Sequence, residues 1–191
     1  MRDIIGIHLL QQTAASLSVS QGIMPSRPPL LSLALCDKRT TVIDLPIPPG
    51  LTRLLAAGVW PSADGPSMNE QQLDPTIPAS RVRNFAEDET LICLQRPPFP
   101  TIAQVQAAGG AGDFWERFGA LDQIDPERAL LIGDFGLGSD SPVILDFARN
   151  PTNPPVARLR WGPRGEGNEW VQGARDFDDF AEMLGLTEGV A

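Results

Sequence analysis

The chain reads as an α+β domain: a mostly antiparallel sheet flanked by helices, with the last helix packed on the sheet. Three observations predict this. Apolar runs of strand length stand at Leu130–Ile132, Val143–Phe147 and Val156–Trp161, with a fourth at Glu169–Ala174. The segments between them, Gly133–Pro142, Arg149–Pro155 and Gly162–Asn168, are too short for parallel crossovers, which need a dozen or more residues. An amphipathic stretch then closes the chain. Phe177, Phe180, Ala181 and Leu184 recur at i, i+3, i+4 and i+7, one face of a helix.

The 191 residues fit a single domain, with residues 1–44 as an N-terminal extension or hairpin. Ile4, Ile5, Ile7, Leu9 and Leu10 suit a strand or a helix equally. Leu30–Cys36 and Thr41–Leu45 flank Asp37-Lys38-Arg39-Thr40 and read as a hairpin. Pro48 and Pro49 then suit the start of a helix, where a missing N–H costs nothing. Leu51, Leu54 and Leu55 form its apolar stripe, and Gly58 is its stop. Residues 61–79, rich in Pro and Gly, read as a surface loop.

Further along, Val82–Phe85 reads as a helical turn after Ser80, Thr90–Leu94 as a strand, and Arg96–Pro100 as an extended segment. Gly109, Gly110 and Gly112 mark a loop. Phe114, Trp115 and Phe118 can face one way on a short helix, and Leu121–Arg128 leads into the first strand of the C-terminal part. Asp176 is the expected N-cap of the closing helix. Asp178 and Asp179 sit near the positive end of its dipole, Glu182 follows, and Gly185 ends it. Burying two Phe and a Leu on this helix is worth roughly 1.5–3 kcal/mol each.

Composition narrows function. Hydrophobic residues are 42% and charged residues 20%, enough for a sizeable core. The formal net charge is −9. Nucleic-acid binding needs Lys and Arg to displace counterions from phosphate, so this balance argues against DNA, RNA and anionic membranes. A basic protein is the natural complement, because opposite fields steer encounter. Cys36 and Cys93 each lie in an apolar run without a second cysteine nearby, so a reducing, cytoplasmic setting is expected. The N-terminal residues lack the basic end and long apolar segment of a secretory signal. No apolar run approaches the ~20 residues that span a bilayer.

The motifs offer little covalent chemistry. Gly133-Asp134-Phe135-Gly136-Leu137-Gly138 superficially suggests a phosphate loop, but Ser141-Pro142 and an apolar run follow where a helix N-terminus is required. Glycines allowing positive φ in a turn are the preferred reading. Asp134, Asp140 and Asp146 lack the spacing of a calcium loop. His8, the only histidine, lies in an apolar run that gives no triad partners. No catalytic residue, cofactor or metal is therefore assigned. Among the tryptophans, Trp161 is expected in the core, whereas Trp170 is a candidate contact residue.

The order of motifs resembles the SUKH superfamily, which includes the Smi/Knr cell-wall regulator and many bacterial immunity proteins. The similar pieces are Leu130–Gly133, Gly136–Asp140, Ile144–Phe147, Val156–Trp161, Glu169-Trp170-Val171 and Phe177–Leu186. Upstream, Leu45–Gly58 (LPIPPGLTRLLAAG) resembles the early "LPxxL…LL" helix. The resemblance spans about residues 45–187. It departs from the family at Ala57-Gly58-Val59-Trp60, where many members have Asn-Gly-Gly. It implies an α+β domain that binds proteins without chemistry of its own. Every basic residue but Lys38 is Arg, a usage that points to a GC-rich bacterial genome.

The function expected is that of an immunity protein presenting an acidic surface to a basic toxin domain. The expected contact residues are Asp134, Asp140, Asp146, Trp170, Asp178, Asp179 and Glu182. Two alternatives remain: a regulatory scaffold, or a hydrolase using Asp134 and Asp146 as paired carboxylates.

Overall fold

Five strands form a meander in which each is antiparallel to its neighbours, in the order β1-β2-β3-β4-β5. They are β1 Cys93–Leu94, β2 Ala129–Asp134, β3 Pro142–Asp146, β4 Val156–Arg160 and β5 Glu169–Ala174. This computed structural model describes residues 45–63, 77–109, 113–135 and 141–188, all within one unit of the chain, Thr41–Ala191. The hairpin expected around Asp37–Thr40, with Cys36 and His8, lies outside the described residues, as do Gly136–Asp140.

The four C-terminal strands stand where the apolar runs place them, and all three of their pairings are antiparallel. β1 is shorter than the expected Thr90–Leu94. Cys93 and Leu94 pair with Asp134 and Gly133, and β2 ends at Asp134, so Thr90–Ile92 have no partner strand among the described residues. Gly133 does not have positive φ. It belongs to β2, where an added Cβ would come within 2.9 Å of the Cys93 carbonyl oxygen, so the missing side chain admits β1.

Among the described residues, five α-helices flank the sheet: α1 Pro49–Ala56, α2 Ala79–Phe85, α3 Ile102–Ala107, α4 Phe114–Phe118 and α5 Phe177–Met183. Pro48 caps α1 and Pro49 opens it, as the sequence predicts. Asp176 caps α5 by accepting from the Asp179 N–H at 2.9 Å, and Gly185, at φ +72, ends it. α3 has no counterpart in the sequence reading. Its signal is the reciprocal pair Thr101 and Gln104. The Thr101 hydroxyl accepts from the Gln104 N–H (3.2 Å), while the Gln104 side chain accepts from the Thr101 N–H (2.9 Å).

The sheet is buried on both faces. Leu130, Ile132, Val143, Leu145 and Val156 meet the aromatic side chains of Phe85, Phe177 and Phe180, carried by α2 and α5, together with Leu51 and Leu54 of α1. Ala129, Ile144, Ala157, Leu159 and Trp170 meet Ile102 of α3 and Trp115 of α4 on the other face. Burial on both sides is why β3 is apolar along nearly its whole length and all five of its residues are buried. As expected, α5 packs on the sheet: Phe180 is fully buried, edge-on to Phe85 at 4.8 Å.

Two irregularities aim the side chains. On β4–β5 the register shifts so that Val156 faces Ala174 and Ala157 faces Gln172, leaving Gly173 as the extra residue. There the Phe85 ring comes so close that an added Cβ would be 2.3 Å from its Cε2. A similar shift on β2–β3 falls between Leu131 and Gly133.

The meander gives the sheet two distinct ends. At one, β2 and β4 finish and β3 and β5 begin; Asp134 marks it. At the other, Asp146 ends β3 and the following turn meets the start of α5, where Asn153 Nδ2 donates to Asp176 Oδ2 at 3.1 Å.

Candidate functional site

The acids singled out in the sequence do not form one surface. Asp134 pairs with Pro142, whereas Asp146 stands opposite Ala129, five positions earlier on β2. At a strand rise of ~3.3 Å per residue, the two carboxylates are roughly 15 Å apart along the sheet. The paired-carboxylate hydrolase needs them in one cleft, and this separation removes that pairing.

Asp146 is also buried, at 3% exposure, and occupied locally. Its Oδ1 accepts from the N–H groups of Ala148 (3.1 Å) and Arg149 (3.4 Å), and its Oδ2 pairs with Arg149 Nε at 3.1 Å. Its carboxylate shapes the β3–β4 turn. Trp170 is likewise buried. It lies opposite Leu159, is 6% exposed, and its Nε1 donates to the Gly119 carbonyl at 2.9 Å. Its backbone N–H donates to Gln123 Oε1 (2.9 Å), so a side-chain amide closes part of the outer edge of β5.

On α5, Asp179 serves its own helix. It accepts from the Arg175 N–H at 2.9 Å and from Arg175 Nε and Nη2 at 3.2 and 2.9 Å. Hydrogen bonding to Arg175 holds the Asp179 carboxyl below its ordinary value. Asp178 pairs loosely with Arg53 at 3.4 Å, both well exposed, and Glu182 is exposed. Asp140 lies outside the described residues.

A different set of acids gathers at the Asp134 end. The loop from α2 to β1 carries Glu87, Asp88 and Glu89. The Asp88 carboxylate holds Arg158 of β4 with two bonds, Nη2 to Oδ1 at 2.6 Å and Nη1 to Oδ2 at 3.4 Å. That guanidinium is almost buried and lies 5.7 Å from the Phe135 ring centroid. Burial pushes the Glu89 carboxyl above its ordinary value. Asp88 and Asp134 push it the same way, against the pull of Arg158. Arg160, hydrogen-bonded to Glu169, is raised chiefly by that bond and further by Asp88 and Glu87. The sequence signal was the run Glu87-Asp88-Glu89 itself, but nothing local connects it with Asp134 or β4.

Immediately beyond Arg160, Trp161 departs from expectation. It is 36% exposed, because β4 ends at Arg160 and the chain turns away. The Gly162 N–H donates to Asn168 Oδ1 at 3.0 Å, and Asn168 Nδ2 donates to the Phe118 carbonyl at 2.9 Å, tying this turn to α4. Trp161 therefore lies against half-buried rings of α4: Phe118 at 5.4 Å and Phe114 at 6.2 Å between centroids. Arg117 sits 5.0 Å over the Phe118 ring and pairs with Asp113 at 3.1 Å. A shallow polar hollow beside Phe118 is lined by Arg117, Asp122, Gln123 and Asn168.

This end of the sheet thus carries a concentrated acidic loop on one side of β4 and an aromatic cluster on the other. Among the described residues, no group of three or more His, Cys, Asp or Glu is placed to hold a metal ion. No helix among them is long and apolar enough to cross a membrane. Compared with protein-family models, curated proteins and solved structures, the chain matches none.

Proposed function

We propose that this domain binds a basic protein through the Asp134 end of its sheet, and that it acts as a SUKH-type bacterial immunity protein. It neutralises a toxin domain by covering it, without chemistry of its own. One observation carries this: Asp88, Glu89 and Asp134 gather beside a single buried arginine, with Glu87 in the same loop, and Glu89 is driven up in proton affinity chiefly by burial and further by Asp88 and Asp134. Like charges held together repel, and a cationic partner relieves that repulsion while gaining from the field. The overall charge of −9 extends the same attraction to longer range. The SUKH-like order of strands and closing helix supports the family assignment.

The test is binding to a basic toxin domain encoded beside this gene, measured by stopped-flow and calorimetry at two salt concentrations. Association should slow at least several-fold between 50 and 300 mM salt, as surface fields are screened over a Debye length of about 10 Å at 0.1 M. Glu87→Gln with Glu89→Gln should slow it similarly at low salt, leaving the Asp88–Arg158 pair intact. Asp178→Asn with Glu182→Gln, at α5, should change it less than two-fold. The reverse ranking, or no complex at all, refutes the proposal.

A further inference from the structure

Resting on that proposal, we infer that Trp161, framed by Phe114 and Phe118, is the docking point for a cationic side chain of the basic partner, arginine above all. Three large apolar side chains among the described residues are exposed, and Trp161 is the aromatic one. An indole face attracts a cation through its ring quadrupole, more strongly than phenyl does, and a planar guanidinium can also stack on it. The chain already seats one guanidinium on this cluster, that of Arg117 over Phe118, so the rings accommodate such a group. Arg117 is itself paired with Asp113 and leaves Trp161 to an incoming charge.

The surrounding charge selects the occupant. Exposed carboxylates Glu116, Asp122 and Glu166 belong to the segments that bear the rings and the adjoining turn. Trp161 directly follows Arg160, which feels Glu87 and Asp88 across β4. Stacked rings also suit nucleobases, but the carboxylates would repel the phosphates that nucleobases bring. Trp is also among the side chains enriched in residues that dominate interface energetics, and an exposed indole fits that role.

The experiment uses full-length protein labelled with 5-fluorotryptophan and followed by fluorine NMR, with the Trp161 signal assigned from Trp161→Phe. The probes are a short peptide containing three arginines, the same peptide with citrulline, and a single-stranded DNA oligomer. The arginine peptide should move the Trp161 signal and leave that of buried Trp60 in place. The citrulline peptide should bind about five-fold more weakly, as should the arginine peptide to Trp161→Leu, in keeping with an exposed cation–π contact. Trp161→Phe should recover part of that loss. Glu87→Gln with Glu89→Gln should weaken binding yet preserve the Trp161 shift.

Weakening by the acid substitutions with an unmoved Trp161 signal overturns the docking point and leaves the basic-partner proposal standing. Equal binding of the arginine and citrulline peptides also overturns it, because the rings would then be reading shape without charge. A larger Trp161 shift with the DNA oligomer overturns it in favour of base stacking. Absence of arginine-peptide binding at millimolar concentration overturns both statements.

Discussion

Gly173→Ala tests the packing on which the whole site rests. Gly173 is the extra residue of the β4–β5 bulge, and its missing Cβ makes room for Phe85. A methyl there would lie 2.3 Å from Phe85 Cε2 and 2.9 Å from both Cδ2 and Cζ, far inside contact distance. The ring has little freedom to retreat. Phe135 stacks on it at 5.9 Å and Phe180 meets it edge-on at 4.8 Å, and both are fully buried. Overpacking of this kind costs about 1–3 kcal/mol. The lower entropy of unfolded alanine offsets about 0.4–1 kcal/mol of that. A net cost of about 1–2 kcal/mol remains, and at roughly 3–4 °C per kcal/mol for a domain of this size the melting temperature should fall by several degrees. The assay is thermal and urea unfolding of four proteins: wild type, Gly173→Ala, Phe85→Leu and the double variant. Leucine is smaller than the ring, so the double variant should lose clearly less than the sum of the two singles. An unchanged melt for Gly173→Ala, or strict additivity in the cycle, refutes the close approach of α2 to β5.

Two further outcomes follow from the same core and its closing helix. Phe180→Ala removes a fully buried ring from beneath α5 and should destabilise the domain by about 3–5 kcal/mol in urea unfolding. Asp179→Asn should change the pH profile of stability. The folded carboxyl is held below its ordinary value, so its contribution is present above the unfolded value and is lost as pH falls through the folded one. The variant should therefore melt lower than wild type at pH 7, by an amount worth under about 1 kcal/mol because Arg175 is exposed. The two melting curves should converge as pH falls through the lowered folded value. Parallel curves over that range would remove the Arg175 clamp as the cause.

The C-terminal strands were legible because each carries its own signal. Val143–Phe147 and Val156–Trp161 are short apolar runs, and the intervening Asn-Pro and Gly segments forbid a parallel crossover. Both ends of α5 were legible, from Asp176 at its start and Gly185 after its last turn, whose roles depend only on local backbone geometry. α3 is hidden in the sequence because Pro97, Pro98 and Pro100 mark an extended segment just before it, although the Thr101–Gln104 box gives a local start signal. Trp161 was misplaced for a related reason. Its apolar run continues one residue past the last ladder pair, Arg160 with Glu169, and hydrophobicity does not mark where pairing stops.

The candidate site was harder to read than the fold for a reason built into the meander. In an up-and-down sheet, successive turns lie at alternate ends, so acids one strand apart in sequence are driven apart in space. Asp134 and Asp146 show this directly, one ending β2 and the other ending β3. Carboxylates converge only when a segment distant in sequence returns to the same end, as the α2–β1 loop does when Asp88 meets Arg158, 70 residues later. That pairing fixes the loop to β4. Arg158 is almost buried and bonded at both Nη atoms, so losing Asp88 would leave a charge without its partner, which commonly costs about 3–5 kcal/mol when the charge is fully buried. The half-exposure of Asp88 reduces that cost. Glu87 and Glu89 are held in place by this anchor and gain nothing comparable from the fold. Neutralising Glu89 should remove the cost of burying its charge, and with it a smaller repulsion from Asp88 and Asp134, and so raise stability, because its folded carboxyl binds a proton more readily than its unfolded one. A residue that the fold retains against its own stability is where a function in binding is to be sought, and here that residue stands at the Asp134 end of the sheet, where β4 also ends.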